Sequence, residues 1–324
     1  MLRLAILAAL TVGSLAVHPA DAAEPYPSKP VKLIVPQPPG GQSDVLGRML
    51  GDRLAELWKE PVVVENHGGA GGTIGADLAA KAPADGYTVL VGGLNNLAVA
   101  PALVKDLRYD PIRDFAPVGG MARVPYALAV NRNVPATTLA ELIAYARAHP
   151  GRLTYGSGGN GSMSSLGAEL LKSMAGVDIV HVPYRGSAPS IKALVSGEID
   201  MMFADRSLLA PHAKAGTLRL IAAAGAARAS AAPELPTVAE QGWPGFAIEP
   251  WYGVVVPAGT PSEVVAKLAE GLHEILRTPE VRQRLEQLGY EPMADTPERF
   301  GALIRSETEK YAALIKRAGI HGGP

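Results

Sequence analysis

Three loops in this sequence are built almost wholly of small and polar residues. Each follows a short apolar run and precedes a segment of helical periodicity. They are Pro38-Pro39-Gly40-Gly41-Gln42-Ser43-Asp44, Gly92-Gly93-Leu94-Asn95-Asn96 and Gly156-Ser157-Gly158-Gly159-Asn160-Gly161-Ser162. Glycine lets main-chain N–H groups approach a ligand unobstructed, and the start of a helix favours negative charge. Together the three describe an anion cradle suited to a carboxylate. Taken singly, each is also what an ordinary strand-to-helix turn requires. A fourth run, His67-Gly68-Gly69-Ala70-Gly71-Gly72-Thr73, follows Asn66 and reads as a packing turn in preference to ligand lining.

Other chemistries fit worse. Gly156-x-Gly158-x-x-Gly161 has the dinucleotide spacing, but the next apolar run ends in Val182-Pro183-Tyr184-Arg185, with no acid to hold a ribose. Arg185 alone would have to meet a 2′-phosphate, and the motif stands in mid-chain. No G-x-S-x-G occurs, because Tyr155 precedes Gly156-Ser157-Gly158. There is no P-loop and no H-E-x-x-H. The seven histidines (18, 67, 149, 181, 212, 273 and 321) are scattered, with no pair at metal-ligand spacing. His181, inside an apolar run, reads as core packing. No metal, cofactor or catalytic constellation is expected.

The elements that must position these loops follow from periodicity. Strands are expected at 31–35, 61–65, 87–91, 126–130, 153–156, 179–182, 199–203, 218–223 and 252–256. Between them lie helices at 42–58, 73–82, 139–148, 164–174, 187–195 and 208–215. The first helix places Val45, Leu46, Met49, Leu50, Leu54 and Leu57 on one face. Such alternation implies parallel sheets covered on both sides, with ligands at the carboxyl ends of strands. The last third is helical. Thr260-Pro261-Ser262-Glu263 reads as a capping box, and Thr278-Pro279-Glu280 and Thr296-Pro297-Glu298 repeat the Thr-Pro start. The final helix offers Phe300, Leu303, Ile304, Tyr311, Leu314 and Ile315 as its packed stripe, and its charges, like those of 263–287, read as a solvated face.

Composition narrows the class. The 324 residues carry 30 Lys+Arg against 31 Asp+Glu, a net charge of −1, which argues against nucleic acid as a partner. With no Cys, disulfides, thiolate nucleophiles and Cys-ligated metals are out. The 36 Gly and 28 Pro mark a chain rich in turns and close backbone approaches. At the N-terminus, Met1-Leu2-Arg3 precedes an apolar run from Leu4 to Val17 and then Ala20-Asp21-Ala22. This is the pattern of a cleaved export signal, and the run is shorter than the ~20 residues a membrane span needs. Residues 1–22 are therefore expected to be removed and the rest to be exported to the periplasm as a monomer. No linker divides the remainder. One lobe is expected from 23–124 with 226–324, and a second, inserted lobe from 125–225, with crossings near Val124-Pro125 and Gly225.

The loops, in this order, resemble those of the substrate-binding proteins of tripartite tricarboxylate transporters, the Bug family. The likeness runs over about residues 26–318. It rests on Tyr26-Pro27-Ser28-Lys29-Pro30, Pro38-Pro39-Gly40-Gly41 with Asp44, and Val62-Val63-Val64-Glu65-Asn66. It continues through Gly69-Ala70-Gly71-Gly72, Asp85-Gly86-Tyr87-Thr88, Tyr109-Asp110-Pro111 and Asp114-Phe115-Ala116-Pro117-Val118. Gly159-Asn160-Gly161-Ser162, His181-Val182-Pro183-Tyr184-Arg185-Gly186-Ser187-Ala188-Pro189, Leu235-Pro236-Thr237-Val238-Ala239-Glu240 and Pro257-Ala258-Gly259-Thr260-Pro261 complete it.

The resemblance implies an α/β fold of the two-lobed periplasmic-binding-protein kind, type II-like, each lobe a mostly parallel sheet flanked by helices. It implies a hinged cleft that closes on a small carboxylate and a membrane permease that receives it, with no reaction catalysed. The ligand-binding residues it suggests are Gln37, Pro39, Gly40, Gly41, Ser43 and Asp44, then Gly93 and Asn95. Gly159, Asn160, Gly161, Ser162 and Ser165 follow, with Tyr184, Asp205 and Arg206. Three departures from the family pattern bear on the ligand. Gln37 replaces an aromatic, Ser165 a histidine, and Ala204 an acid, the last followed by Asp205-Arg206. Loss of an acidic reader and gain of Arg206 would favour a di- or tricarboxylate over an amino acid. A ligand sensor for a signalling system, or a periplasmic enzyme using the same cleft, are the alternative readings.

Overall fold

The computed structural model describes residues 26–320, so the expected export signal lies outside the described residues. Strands β1 (Val31–Val35), β2 (Val62–Asn66), β3 (Thr88–Gly93) and β4 (Phe115–Arg123) are followed by β5 (Tyr126–Asn131), β6 (Thr154–Ser157) and β7 (Val180–Pro183). Then come β8 (Met201–Asp205), β9 (Leu218–Ala223), β10 (Trp251–Pro257) and β11 (Glu291–Pro292). They form two sheets, one ordered β11-β4-β10-β3-β1-β2 and the other β7-β6-β8-β5-β9.

Both sheets are mixed, not mostly parallel as the alternation suggested. β1 runs parallel to β2 and β3, and β6 parallel to β7 and β8. β10, however, runs antiparallel to β3 and β4, and β5 antiparallel to β8 and β9. The cause is the passage between lobes. β4 hands directly to β5 through Val124 and Pro125, with no crossover helix to restore the strand direction.

The long strand β4 escapes sequence reading because Pro117 and Gly119-Gly120 interrupt it. Pro117 is tolerated because β11 pairs only with Arg123 and Ala122, so the missing N–H breaks no ladder on that side. Register shifts between Tyr252/Gly253 and Val254/Val255 absorb the irregularity on the β10 side.

The helices are α1 (Gln42–Trp58), α2 (Thr73–Ala80), α3 (Ala100–Leu103), α4 (Leu139–Ala148) and α5 (Met163–Ala175). They continue with α6 (Ser187–Ser196), α7 (Arg206–Lys214), α8 (Ser262–Arg277), α9 (Pro279–Leu288) and α10 (Pro297–Ala318). α1 buries Leu46, Leu50 and Leu54 as expected, but Leu57 is 38% exposed. The helix docks by its glycines: a Cβ on Gly47 would stand 2.6 Å from Val35, and one on Gly51 3.1 Å from Val64. That close approach turns the stripe away from Leu57.

Helix starts also differ from expectation. The Thr260 hydroxyl donates to Pro257 O at 2.7 Å, and α8 has no side-chain cap. Thr278 likewise donates to Ile275 O, finishing α8 and leaving α9 uncapped. Only Thr296 of the three accepts an N–H, from Arg299. A complete capping box is at α4, where the Thr138 hydroxyl accepts from Glu141 N and the Glu141 carboxylate accepts from Thr138 N.

β10 is buried along its whole length, with Trp251 edge-on to Phe300 at 5.3 Å. α10 packs on β4 and extends to α5, so one helix touches both lobes. No described helix is long and apolar enough to cross a membrane.

Candidate functional site

A cavity of about 200 Å³ opens where the two sheets present their loops to each other. The six-stranded lobe contributes Pro36, Gln37, Gln42, Ser43, Gly71 and residues 93–96, with Pro250, Trp251 and Tyr252. The five-stranded lobe contributes Tyr126, Gly158, Ser162, Met163, Ser164, Gly186 and Ser187. The lining contains no Arg, Lys, His, Asp or Glu.

Three helices begin at this cavity: α1 at Gln42, α5 at Met163 and α6 at Ser187. The residues before α1 and α6 are Gly41 and Gly186, which supply no capping side chain. A helix start without a cap leaves main-chain N–H groups and the positive end of the helix dipole for an outside acceptor. Gln37 takes up part of this capacity, its Oε1 accepting from Ser43 N at 3.0 Å. At α5, Ser162 caps its own helix through Ser165 N and donates to Gly159 O, while Ser164 Oγ accepts from Gly158 N. The Ser43 hydroxyl is buried with no protein partner. Such a group costs free energy unless a ligand or solvent satisfies it.

Of the residues named from sequence, Gln37, Ser43, Gly93, Asn95 and Ser162 line the cavity. Pro39 and Gly40 are exposed on the outer turn, and Gly41 lies just behind the lining, its position filled against Gln37 Oε1.

Asp44 is turned away from the cavity. Its carboxylate accepts from Gly40 N at 2.8 Å, from Asn66 Nδ2 at 2.8 Å and from Arg48 Nε at 3.1 Å. Burial works against its charge, but the Arg48, Gly40 and Asn66 donors outweigh it and hold the pKa below the ordinary aspartate value. Asp44 shapes the Gly40-Gly41 turn.

Gly159 also lies behind the lining. Asn160, Gly161 and Ser165 face a different hollow of about 350 Å³, with Tyr155, Glu169, Lys172, His181 and the end of α10. Ser165 Oγ is spent on Ser162 O at 2.8 Å.

Tyr184 points to Glu198, donating at 2.7 Å, and takes no part in the lining. Arg206 lines a separate groove with Thr137, Thr138 and Leu220. The supposed gain of a cationic reader is therefore absent from the cavity, because α7 turns its first residue outward beside Pro125 O. β8 extends to Asp205, which ends that strand and does not line the cavity. Asp205 is 4% exposed and lies behind Gln42, donor to it at 3.0 Å. Burial raises its pKa, opposed by hydrogen bonds from Ser207 and Gln42 and by the charge of Arg206.

Several lining residues were not singled out from the sequence. Gln42, Ser164 and Asn96 stand in or beside the quoted loops. Asn96 Oδ1 accepts from Gly93 N at 2.9 Å and so fixes the second loop. Gly71 lines the cavity although its run was read as packing; its neighbours Gly68 and Gly75 do pack, against Pro38 and Pro36. Gly186-Ser187 repeats the small-residue start of the other helices, a signal present in the sequence. Trp251 and Tyr252 have no local signal, because a strand more than 150 residues beyond the second loop delivers them.

Residues 46–320 match the model of a family described as tripartite tricarboxylate transporter family receptor. BugT of Bordetella pertussis is 32% identical over 320 residues, covering 98% of each chain. Among solved structures, R. palustris Rpa4515 with adipate is 36% identical, with a TM-score of 0.79 over 92% of this chain and 100% of that one. MatC from Rhodopseudomonas palustris with bound malate is 32% identical, with a TM-score of 0.75 over 90% of this chain and 100% of that one.

Proposed function

This chain belongs to the tripartite tricarboxylate transporter receptor family, and on that premise we propose that it is a periplasmic receptor for a small dicarboxylate. It would hold the ligand between its lobes, catalyse nothing, and pass it to the membrane permease of such a transporter. The observation that carries this reading is the convergence of three helix starts on a cavity without an ionic side chain. Peptide N–H groups and serine hydroxyls can neutralise a carboxylate without a fixed counter-ion, leaving the ligand able to depart. Donors come from both lobes, so a ligand with acceptors at both ends binds the closed form better and shifts the population toward it. The relatives that hold adipate and malate support the dicarboxylate class.

Isothermal titration and thermal shift with adipate, L-malate, L-aspartate and L-glutamate test the reading. A ligand at a hundred times its Kd that binds only the folded chain should stabilise it by about 2.7 kcal/mol. The expected result is a shift with a dicarboxylate that carries no amino group and little with the amino acids. Tighter binding of an amino acid would overturn it.

A further inference from the structure

Gln42 is the first residue of α1 and part of the cavity wall, and both ends of its carboxamide are tied. Its Oε1 accepts from the Tyr252 hydroxyl at 2.8 Å, and its Nε2 donates to Asp205 Oδ2 at 3.0 Å. Tyr252 belongs to the same lobe, whereas Asp205 comes from the other lobe, 163 residues along the chain. The second oxygen of Asp205 is occupied at α7, accepting from Ser207 N at 2.8 Å and from Ser207 Oγ at 2.7 Å. Three donors thus face this carboxylate, an arrangement that suits its ionised, acceptor-only form.

That arrangement has a directional consequence. An amide flanked by a hydroxyl donor and a carboxylate has one orientation in which both bonds form, with oxygen toward Tyr252 and nitrogen toward Asp205. The nitrogen carries two hydrogens, and Asp205 takes one. What remains on that side of the amide is a donor. With oxygen and nitrogen exchanged, the same direction would carry a lone pair.

We propose that Asp205 is a positioning residue for ligand selection: by meeting Gln42 across the lobes it makes that side chain offer N–H, not C=O, to the bound molecule. The preference for an acceptor-rich ligand such as a carboxylate is then written by lobe contact, because the residue that imposes it stands on the opposite lobe from the residue that expresses it. This inference rests on the reading of the cavity as a carboxylate site.

The substitution Asp205→Asn separates the roles of this residue. Ser207 N–H still requires an oxygen, so the asparagine must place its amino group where Oδ2 was. Two donors would then oppose each other, and Gln42 must turn over. The α7 cap survives, while the group offered to the cavity changes sign.

The test is titration of wild type and Asp205→Asn with adipate, and with adipamide, its neutral diamide, which brings N–H donors. The expected result is at least about a tenfold loss of adipate affinity with adipamide unchanged or tighter, so that the ratio of the two moves. A purely structural role for Asp205 would weaken both ligands by the same factor, and that outcome, or no change in either, overturns the proposal. Should Asp205→Asn fail to fold, Gln42→Met leaves Asp205 and its cap in place and removes the donor. It should also cost adipate more than adipamide, and an equal loss would again overturn the proposal. Failure of the wild type to bind adipate, L-malate or succinate at all would instead remove the carboxylate reading, and this inference with it.

Discussion

The Ser157 hydroxyl lies 2.6 Å from His181 Nε2 and also meets Gly159, at 3.1 Å from its N and 3.2 Å from its carbonyl. Ser157 ends β6, and its neighbour Gly158 reaches the cavity wall, so a histidine outside the cavity is wired to the loop that forms part of it. The hydroxyl owns one proton. With a neutral Nε2 it donates to the ring; with a protonated Nε2 it accepts from the ring and donates to Gly159. The ring is held flat against Tyr155, with centroids 4.6 Å apart.

Stability should therefore fall as the pH drops below histidine's ordinary value of 6.5. Burial lowers the His181 pKa, Glu169 opposes this and Lys172 adds to it. Above 6.5 the ring is neutral in both states. Below it the unfolded chain takes up a proton that the fold resists, so stability is lost until the folded value is passed. Urea unfolding of wild type and His181→Gln at pH 7.5, 6.5 and 5.5 checks this. The wild type's advantage should shrink with acidification, and a constant difference would show that His181 does not titrate there.

Ser43→Ala should leave the ligand-free protein as stable as before, or slightly more so. Its hydroxyl is buried and unpaired, so removing it discards an unmet polar group. Adipate affinity should drop by about tenfold if that hydroxyl meets the ligand, a change of about 1.4 kcal/mol. Parallel urea unfolding and titration read the two effects separately.

Gly253→Ala should be among the costliest single-methyl additions. A Cβ there would stand 2.2 Å from the Phe300 ring and 2.7 Å from the Gly119 carbonyl. Phe300 is fully buried and the carbonyl is backbone in the adjacent strand, so neither can yield. Overpacking of this kind costs about 3 kcal/mol, readable as a shift in the urea midpoint.

Thr138→Ala should destabilise by about 1 kcal/mol, the usual loss for an N-cap. Thr278→Ala should cost less, because that hydroxyl caps no helix start and only reinforces a carbonyl at the end of α8. Equal losses would mean that the geometry at α4 carries no capping energy.

Local patterns proved legible and long-range pairing did not. β1, α4 and β9 appear within the bounds that periodicity assigns, since each element's apolar spacing is set by the sheet it covers. β4 stayed hidden because its irregular residues are tolerated only by the partners on either side, β10 and β11. At the site, the glycine loops betray a backbone that must start a helix without obstruction. Sequence cannot show which side of the loop a residue faces. Asp44 and Ser43 are adjacent, yet one braces the turn through Arg48 and Asn66 while the other reaches the cavity. Arg206 misled for the same reason, because a two-residue extension of β8 beyond the expected end keeps Asp205 inward and turns its neighbour out.

The absence of ionic side chains from the cavity wall has a kinetic corollary. Electrostatic steering raises association rates by roughly 10- to 1,000-fold and fades as salt is added. A doubly negative molecule approaching this mouth is offered short-range dipoles and no such pull. Its arrival rate should vary little with ionic strength, and tight binding has to come from slow departure. Residence time then becomes the quantity that separates a good ligand from a poor one.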